Sequence, residues 1–304
     1  MRTIETAVIT GPTGAIGIAL CKLLLDNGIK VYAVCRPASK RAANLPNGVK
    51  KIDCDLSRLD KLNEKINSSV DVFFHFGWAN TVGAGRNDMF SQNLNVKYAL
   101  DAVHAAKELG CKLFIGSGSQ AEYGSVNGII TPSTPCFPKN GYGMAKLCAG
   151  QMCRVECEKL GMEFIWTRIL SVYGPYDSEK SMISSAIKLL LNHERPSFTS
   201  GEQMWDYLFS EDAAKAFYLL AERGRNGKNY IVAGGKSRPL KEYIEIMRNS
   251  VDSTLPLGFG EILNNNPISL ISDISETTND TGFIPETDFE NGIKLTIEYI
   301  KNLI

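Results

Sequence analysis

Thr6-Ala7-Val8-Ile9-Thr10, followed directly by Gly11-Pro12-Thr13-Gly14-Ala15-Ile16-Gly17, is the stretch that decides the fold. Its first five residues read as a short buried strand. Three glycines mark a turn, after which Ile16, Leu20, Leu23 and Leu24 recur at helical spacing until Asn27-Gly28, a C-terminal stop. In a strand–glycine–helix passage the backbone can come close to a pyrophosphate, and the opening helix offers unpaired N–H groups and its positive end. The last glycine lets the helix lie against the strand. The expected phosphate seat is Gly11, Thr13, Gly14, Ala15, Ile16 and Gly17.

Outward from this unit the alternation continues. Val31 to Cys35, Val49 to Ile52 and Val70 to Phe76 read as strands, the last so uniformly apolar that both its faces are expected to be buried. A helix from about Asn95 to Leu109 leads to a strand at Lys112 to Ile115, and one from about Tyr142 leads to a strand at Glu163 to Ile169. The expected class is α/β, a Rossmann-type doubly wound parallel sheet with a smaller C-terminal substrate-binding lobe. Residues 1–175 form the dinucleotide-binding domain in this reading, residues 204–235 return to it, and 176–304 mainly build the lobe. Beyond Gly174-Pro175 the signals are a helix at Ser181 to Leu191, a strand at Trp205 to Phe209 and a helix at Glu211 to Glu222. Pro239, Pro256, Pro267 and Pro285 then punctuate short segments before a last helix from Phe289.

With 304 residues and a formal net charge of zero, the chain has no basic footprint for nucleic acid or a membrane surface. Its apolar runs fall short of a membrane span, and Met1-Arg2-Thr3-Ile4-Glu5 opens no signal peptide. Eight cysteines without framework spacing suggest free thiols in a reducing cytoplasm. Cys148, Cys153 and Cys157 share a helix but lack further ligands nearby, so they read as small apolar side chains and no metal site is expected.

The second strand ends in Cys35-Arg36, with Ser39, Lys40 and Arg41 downstream. NAD-preferring folds place an acid there for the ribose 2′-hydroxyl; a guanidinium suits a 2′-phosphate. NADP is favoured, with NAD possible. Asp55-Leu56, after the third strand, are candidates to bracket the adenine.

Tyr142 and Lys146 stand four apart, on one helix face. A nearby ammonium stabilises phenolate, so Tyr142 is the candidate proton donor to a carbonyl or acceptor from a hydroxyl. Charge developing on that oxygen needs a second donor. The serine-rich segment Gly116-Ser117-Gly118-Ser119-Gln120 supplies it, with Ser119 preferred over Ser117. His75 reads as a satisfied core residue, Cys136 lacks a histidine partner, and Glu122 reads as a loop carboxylate facing solvent.

These residues resemble the extended short-chain dehydrogenase/reductase family, in its nucleotide-sugar epimerase, dehydratase and reductase branch. The resemblance runs through Thr10 to Gly17, Asp55-Leu56, Asp71 to His75, Asn95-Val96 and Ser119…Tyr123-Gly124. It continues with Tyr142-x-x-x-Lys146, Arg168…Tyr173-Gly174-Pro175, and Asp206-Tyr207…Glu211-Asp212-Ala213. It implies that Ser119, Tyr142 and Lys146 form the catalytic triad and that Lys146 also holds the nicotinamide ribose. Phe76, Gly77, Trp78 and Asn95 would line the cofactor, with Tyr173 and Pro175 near the nicotinamide. Ser117, Gln120, Tyr142 and Lys180 would meet a nucleotide-diphosphate sugar, and dimers would pack through the Asn95 and Tyr142 helices. The dehydratases' Asp-Glu pair is replaced by Gln120-Ala121, so water elimination is not expected. The epimerases' asparagine is replaced by Ser171, and their diphosphate-gripping arginine is missing near Gln203 to Trp205. Lys180, Lys188 and Arg238 are the possible substitutes. The favoured activity is NADPH-dependent reduction of a 4-keto (6-deoxy) nucleotide sugar. An NAD-dependent 4-epimerase is the alternative, and a non-catalytic dinucleotide-binding regulator the third reading.

Overall fold

The structure is a computed structural model describing residues 1–263 and 268–303; Pro267 lies outside the described residues. Seven parallel strands form the main sheet: β1 (Thr6–Thr10), β2 (Lys30–Cys35), β3 (Lys50–Asp53), β4 (Val72–His75), β5 (Leu113–Ser119), β6 (Glu163–Ile169) and β7 (Asn229–Val232). Their order is β3-β2-β1-β4-β5-β6-β7. The order in which successive strands are added reverses between β1 and β4, which opens a crevice at their carboxyl ends, the usual ligand position in such sheets.

The helices are α1 (Ala15–Asp26), α2 (Met89–Glu108), α3 (Gly141–Lys159), α4 (Met182–Leu191), α5 (Ser210–Arg223), α6 (Leu240–Val251), α7 (Ser275–Thr281) and α8 (Phe289–Lys301). α1 and α5 cover one sheet face and α2 and α3 the other. Alternation along β4 serves both layers: Phe73 packs under α2 and α3, Phe74 under α1 and α5. Each buried ring contributes about 1.5–3 kcal/mol. A third apolar cluster gathers α4, α6 and α8 around Tyr173, Phe209, Tyr243 and Phe289.

Three segments differ from the sequence expectation. α2 begins at Met89, capped by the Asp88 carboxylate, which accepts from Ser91 N at 3.2 Å. Its first turns hide polar Gln92 and Asn95 instead of apolar residues, so hydrophobic spacing starts late. β5 does not end at Ile115 but runs on through Ser119, because Gly116 and Gly118 leave room for the indole of Trp166, which a Cβ at either position would strike. The single strand expected at Trp205 to Phe209 is two. Met204–Trp205 pairs with Arg238–Pro239, and Tyr207–Phe209 with Ser171–Tyr173. Asp206 between them is wholly buried and accepts from Gly234 N (2.7 Å), Gly235 N (2.9 Å) and Ser272 Oγ (2.6 Å). Within 204–235, only β7 joins the main sheet.

Candidate active site

The turn after β1 is built by glycines with different duties. Gly11 has φ +67°, and an added Cβ would lie 2.8 Å from the backbone of Phe76 and Gly77. At Gly17 it would meet Gly11 O at 2.5 Å and Pro12 backbone at 2.7 Å. Gly14 is open, its nearest neighbour being Gly11 O at 3.8 Å. It caps α1 without any side-chain hydrogen bond, so the first N–H groups of that helix stay available to an anion. Thr10 Oγ ties the two central strands together, lying 2.9 Å from His75 Nδ1 and accepting from Gly77 N at 3.1 Å.

A cleft of about 940 Å³ runs from this turn over the ends of β1, β2 and β4, lined by Gly11 to Gly14, Cys35 to Arg41, Cys54 to Leu56 and Phe76 to Thr81. It joins a second cavity of about 320 Å³ lined by Ala15, Ile16, Gly17, Ser117, Ser119, Tyr142, Lys146, Val172 and Asp177, among others. The open Gly14, the uncapped helix end and the paired cavities fit an extended dinucleotide. Asp55 and Leu56 line the larger cavity. Hydrogen bonds from Ser57, aided by the Arg36 charge, hold the Asp55 carboxyl below its ordinary range. This carboxylate, two residues past the end of β3, lines the same cleft as Arg36.

Ser119, Tyr142 and Lys146 converge in the smaller cavity. Asn140 caps α3 by accepting from Gly143 N at 2.8 Å, which starts the helix one residue before Tyr142. Lys146 is buried; its Nζ donates to the Ser117 carbonyl (2.5 Å) and hydroxyl (3.3 Å) and lies 3.8 Å from the Trp78 ring. Burial pushes its pKa down to about 7. Burial pushes the Tyr142 phenol up, against the opposing pull of the Ser119 hydroxyl and of Arg86. Two cations face this ring: the Arg86 guanidinium, 4.6 Å from the Tyr142 ring centre, and Lys146 Nζ, 5.9 Å from it.

The model described as the NAD dependent epimerase/dehydratase family matches residues 7–233. The chain belongs to this family. A putative UDP-glucose 4-epimerase of Methanocaldococcus jannaschii is 25% identical over 97% of this chain and 98% of its own length. The solved UDP-N-acetylglucosamine 4-epimerase of Methanobrevibacter ruminantium, in complex with UDP-N-acetylmuramic acid, is 26% identical, with TM-score 0.89 and full coverage of both chains. RMD from Pseudomonas aeruginosa, complexed with NADPH, shares the fold at 19% identity, with TM-score 0.85 over 99% of this chain and 100% of its own. The cofactor class for this family member is NAD(P).

Several sequence expectations need correction. Asn95 does not line the cleft: its buried amide donates to Ala79 O and accepts from Ala79 N, both at 2.9 Å, and so holds the loop that does. Tyr173 is buried in the lobe, donating to Phe289 O at 3.4 Å, and Val172 and Asp177 reach the cavity in its place. Pro175 and Gln120 are half-buried beside the cavities without lining them. Ser117 is taken up by Lys146 and by the His75 carbonyl, to which its hydroxyl donates at 2.9 Å. Lys180 is exposed outside both cavities, while Lys188 and Arg238 pair with Glu179 (2.9 Å) and Glu290 (2.6 Å). His75 is buried, but its Nε2 finds no partner among the described residues.

Glu122 departs furthest from expectation. It is fully buried, accepting from Ser119 N (2.8 Å), Trp166 Nε1 (3.1 Å) and Arg168 Nε (2.9 Å). Arg168, itself buried, also donates to Tyr123 Oη (3.1 Å) and Pro132 O (3.0 Å). The signal for this pair was Arg168 within a mostly apolar strand, since a buried guanidinium requires a carboxylate.

Proposed function

We propose that the chain is a nucleotide-sugar 4-epimerase, oxidising C4 of a nucleotide-linked hexose and reducing it again on the other face. The observation that carries this reading is the meeting of Ser119, Tyr142 and Lys146 in a cavity continuous with the glycine turn. Its similarity over nearly full length to proteins described as 4-epimerases supports the same choice. A bound nicotinamide dinucleotide would take up and return hydride at the sugar carbon. Gly11, Gly14 and the N-terminus of α1 would hold its pyrophosphate, and Lys146 its ribose. Tyr142 takes the C4 hydroxyl proton in one direction and returns it in the other, while Ser119 steadies the oxygen as its charge changes. Gln120 and Ala121 offer no acid/base pair for water elimination.

A second reading, NADPH-dependent reduction of a 4-keto (6-deoxy) nucleotide sugar, is favoured by Arg36, Lys40 and Arg41 lining the larger cavity. The purified protein separates the two. Retained NAD(H) absorbance with epimer formation from a UDP-hexose, and no added cofactor, supports the epimerase. An empty site that consumes NADPH only with a 4-ketosugar supports the reductase. Tyr142→Phe should lower turnover by about 10²–10⁴-fold and leave cofactor affinity intact; a parent protein that binds the dinucleotide but turns over no nucleotide sugar would favour the non-catalytic regulator.

We also infer a homodimer through α2 and α3, which expose Leu94, Met144, Met152 and Val155, with sedimentation as its test. Eight free thiols support a cytoplasmic setting, and no described helix is long and apolar enough to cross a membrane.

A further inference from the structure

The segment Gly83–Asn87 carries no sequence pattern, yet it is firmly held. Buried Gln92 donates to Asn80 O (2.9 Å) and Gly85 O (3.0 Å) and accepts from Trp78 Nε1 (2.9 Å). Asn87 Oδ1 accepts from Gly141 N at 3.0 Å, which fastens the segment to the start of α3, one residue from Tyr142. Arg86 lies between these two fastenings. It is half-buried, its guanidinium lies over the Tyr142 ring, and it has no carboxylate partner among the described residues.

We propose that Arg86 is a positioning residue for proton transfer at Tyr142, adding a second positive charge against that ring beside that of Lys146. Lys146 on α3 donates to the Ser117 carbonyl and lies farther from the ring centre than Arg86 does, at 5.9 Å. Glu122, from the turn after β5, works against the phenolate, and the Ser119 hydroxyl works for it. Asp177 of the lobe lines the same cavity, with burial pushing its carboxyl up. His75 on β4 is kept neutral by burial, its pKa pushed down to about 3. A guanidinium held over the ring favours the anion electrostatically and also fixes the plane of the ring.

The test is a spectroscopic titration of Tyr142, taken as the phenolate absorbance of the protein minus that of its Tyr142→Phe counterpart, with and without Arg86→Gln. The midpoint should move up by about one pH unit, the low end for an opposite charge within 4–6 Å. Arg86→Lys, which keeps the charge, should bring it back toward the parent value. An unmoved midpoint in Arg86→Gln refutes the proposal, as does a shift that Arg86→Lys fails to reverse, which would assign the effect to packing. Arg86→Met gives the same reading if the glutamine variant does not fold. The parallel shift expected in the pH profile of kcat rests on the epimerase reading. The titration does not, so a wrong substrate and a wrong role for Arg86 are told apart.

Discussion

Gly14 and Gly17 lie three residues apart in one turn, and replacing each by alanine should separate fold from cofactor binding. At Gly17 the new methyl would stand 2.5 Å from Gly11 O and 2.7 Å from two Pro12 backbone atoms, none of which can swing aside as a side chain can. Overpacking of this kind costs up to about 3 kcal/mol, offset by about 1 kcal/mol that alanine gains over glycine in a helix. The net loss of about 2 kcal/mol lowers the melting temperature by roughly 3 °C in a chain of this size. At Gly14 the methyl has 3.8 Å of clearance, and φ −85°, ψ 169° suits any residue. Alanine there loses a few tenths of a kcal/mol as a cap and regains about as much from the stiffer unfolded chain, so stability should stay within about 0.5 kcal/mol. That methyl, however, enters the cleft where the pyrophosphate must approach. Calorimetric titration with NAD and NADP should show affinity falling at least about tenfold, equivalent to about 1.4 kcal/mol. The reasoning fails if Gly14→Ala binds both cofactors like the parent, or if Gly17→Ala melts at the parent temperature.

Glu122→Ala strands the Arg168 guanidinium in the core and should cost about 3–5 kcal/mol in urea unfolding, with Ser119 losing its N–H anchor and turnover falling too. An effect below about 1 kcal/mol would mean that the pair is not a structural anchor. Lys146 titrates near pH 7 in the folded chain and near pH ~10.4 when unfolded. Between these values the unfolded chain binds the extra proton, so stability of the cofactor-free protein should rise with pH by up to about 1.4 kcal/mol per unit. Lys146→Met should flatten that slope in melts taken from neutral to alkaline buffer. Arg36→Asp should move cofactor preference toward NAD by about tenfold or more if the guanidinium meets the 2′-phosphate; an unaltered ratio of dissociation constants removes it from that role.

The βαβ frame was legible because each strand carries a local signature: apolar runs, glycine stops and polar caps. The glycine turn of Gly11 to Gly17 and the shared helix of Tyr142 and Lys146 were legible for the same reason, being short-range patterns. What stayed hidden depends on distant partners. Nothing near Glu122 reveals that Trp166 and Arg168, more than forty residues on, bury it. Asn95 and Gln92 look like surface polar residues until the loop that their amides satisfy is placed over them. Arg86 sits in a stretch without periodicity, and only the clamp onto α3 brings it to Tyr142.

The three tryptophans fall in three different environments. Trp166 is sealed in the core, its indole against Gly116, Gly118 and Gly150 and its N–H on Glu122. Trp78 stands in the cleft beneath the Lys146 ammonium, and Trp205 belongs to the aromatic cluster of the lobe. The chain thus carries its own set of optical probes. Emission from Trp78 should be quenched when a nicotinamide settles beside it, that from Trp205 should respond to sugar-side ligands, and that from Trp166 should hold steady until the core between β5 and β6 comes apart.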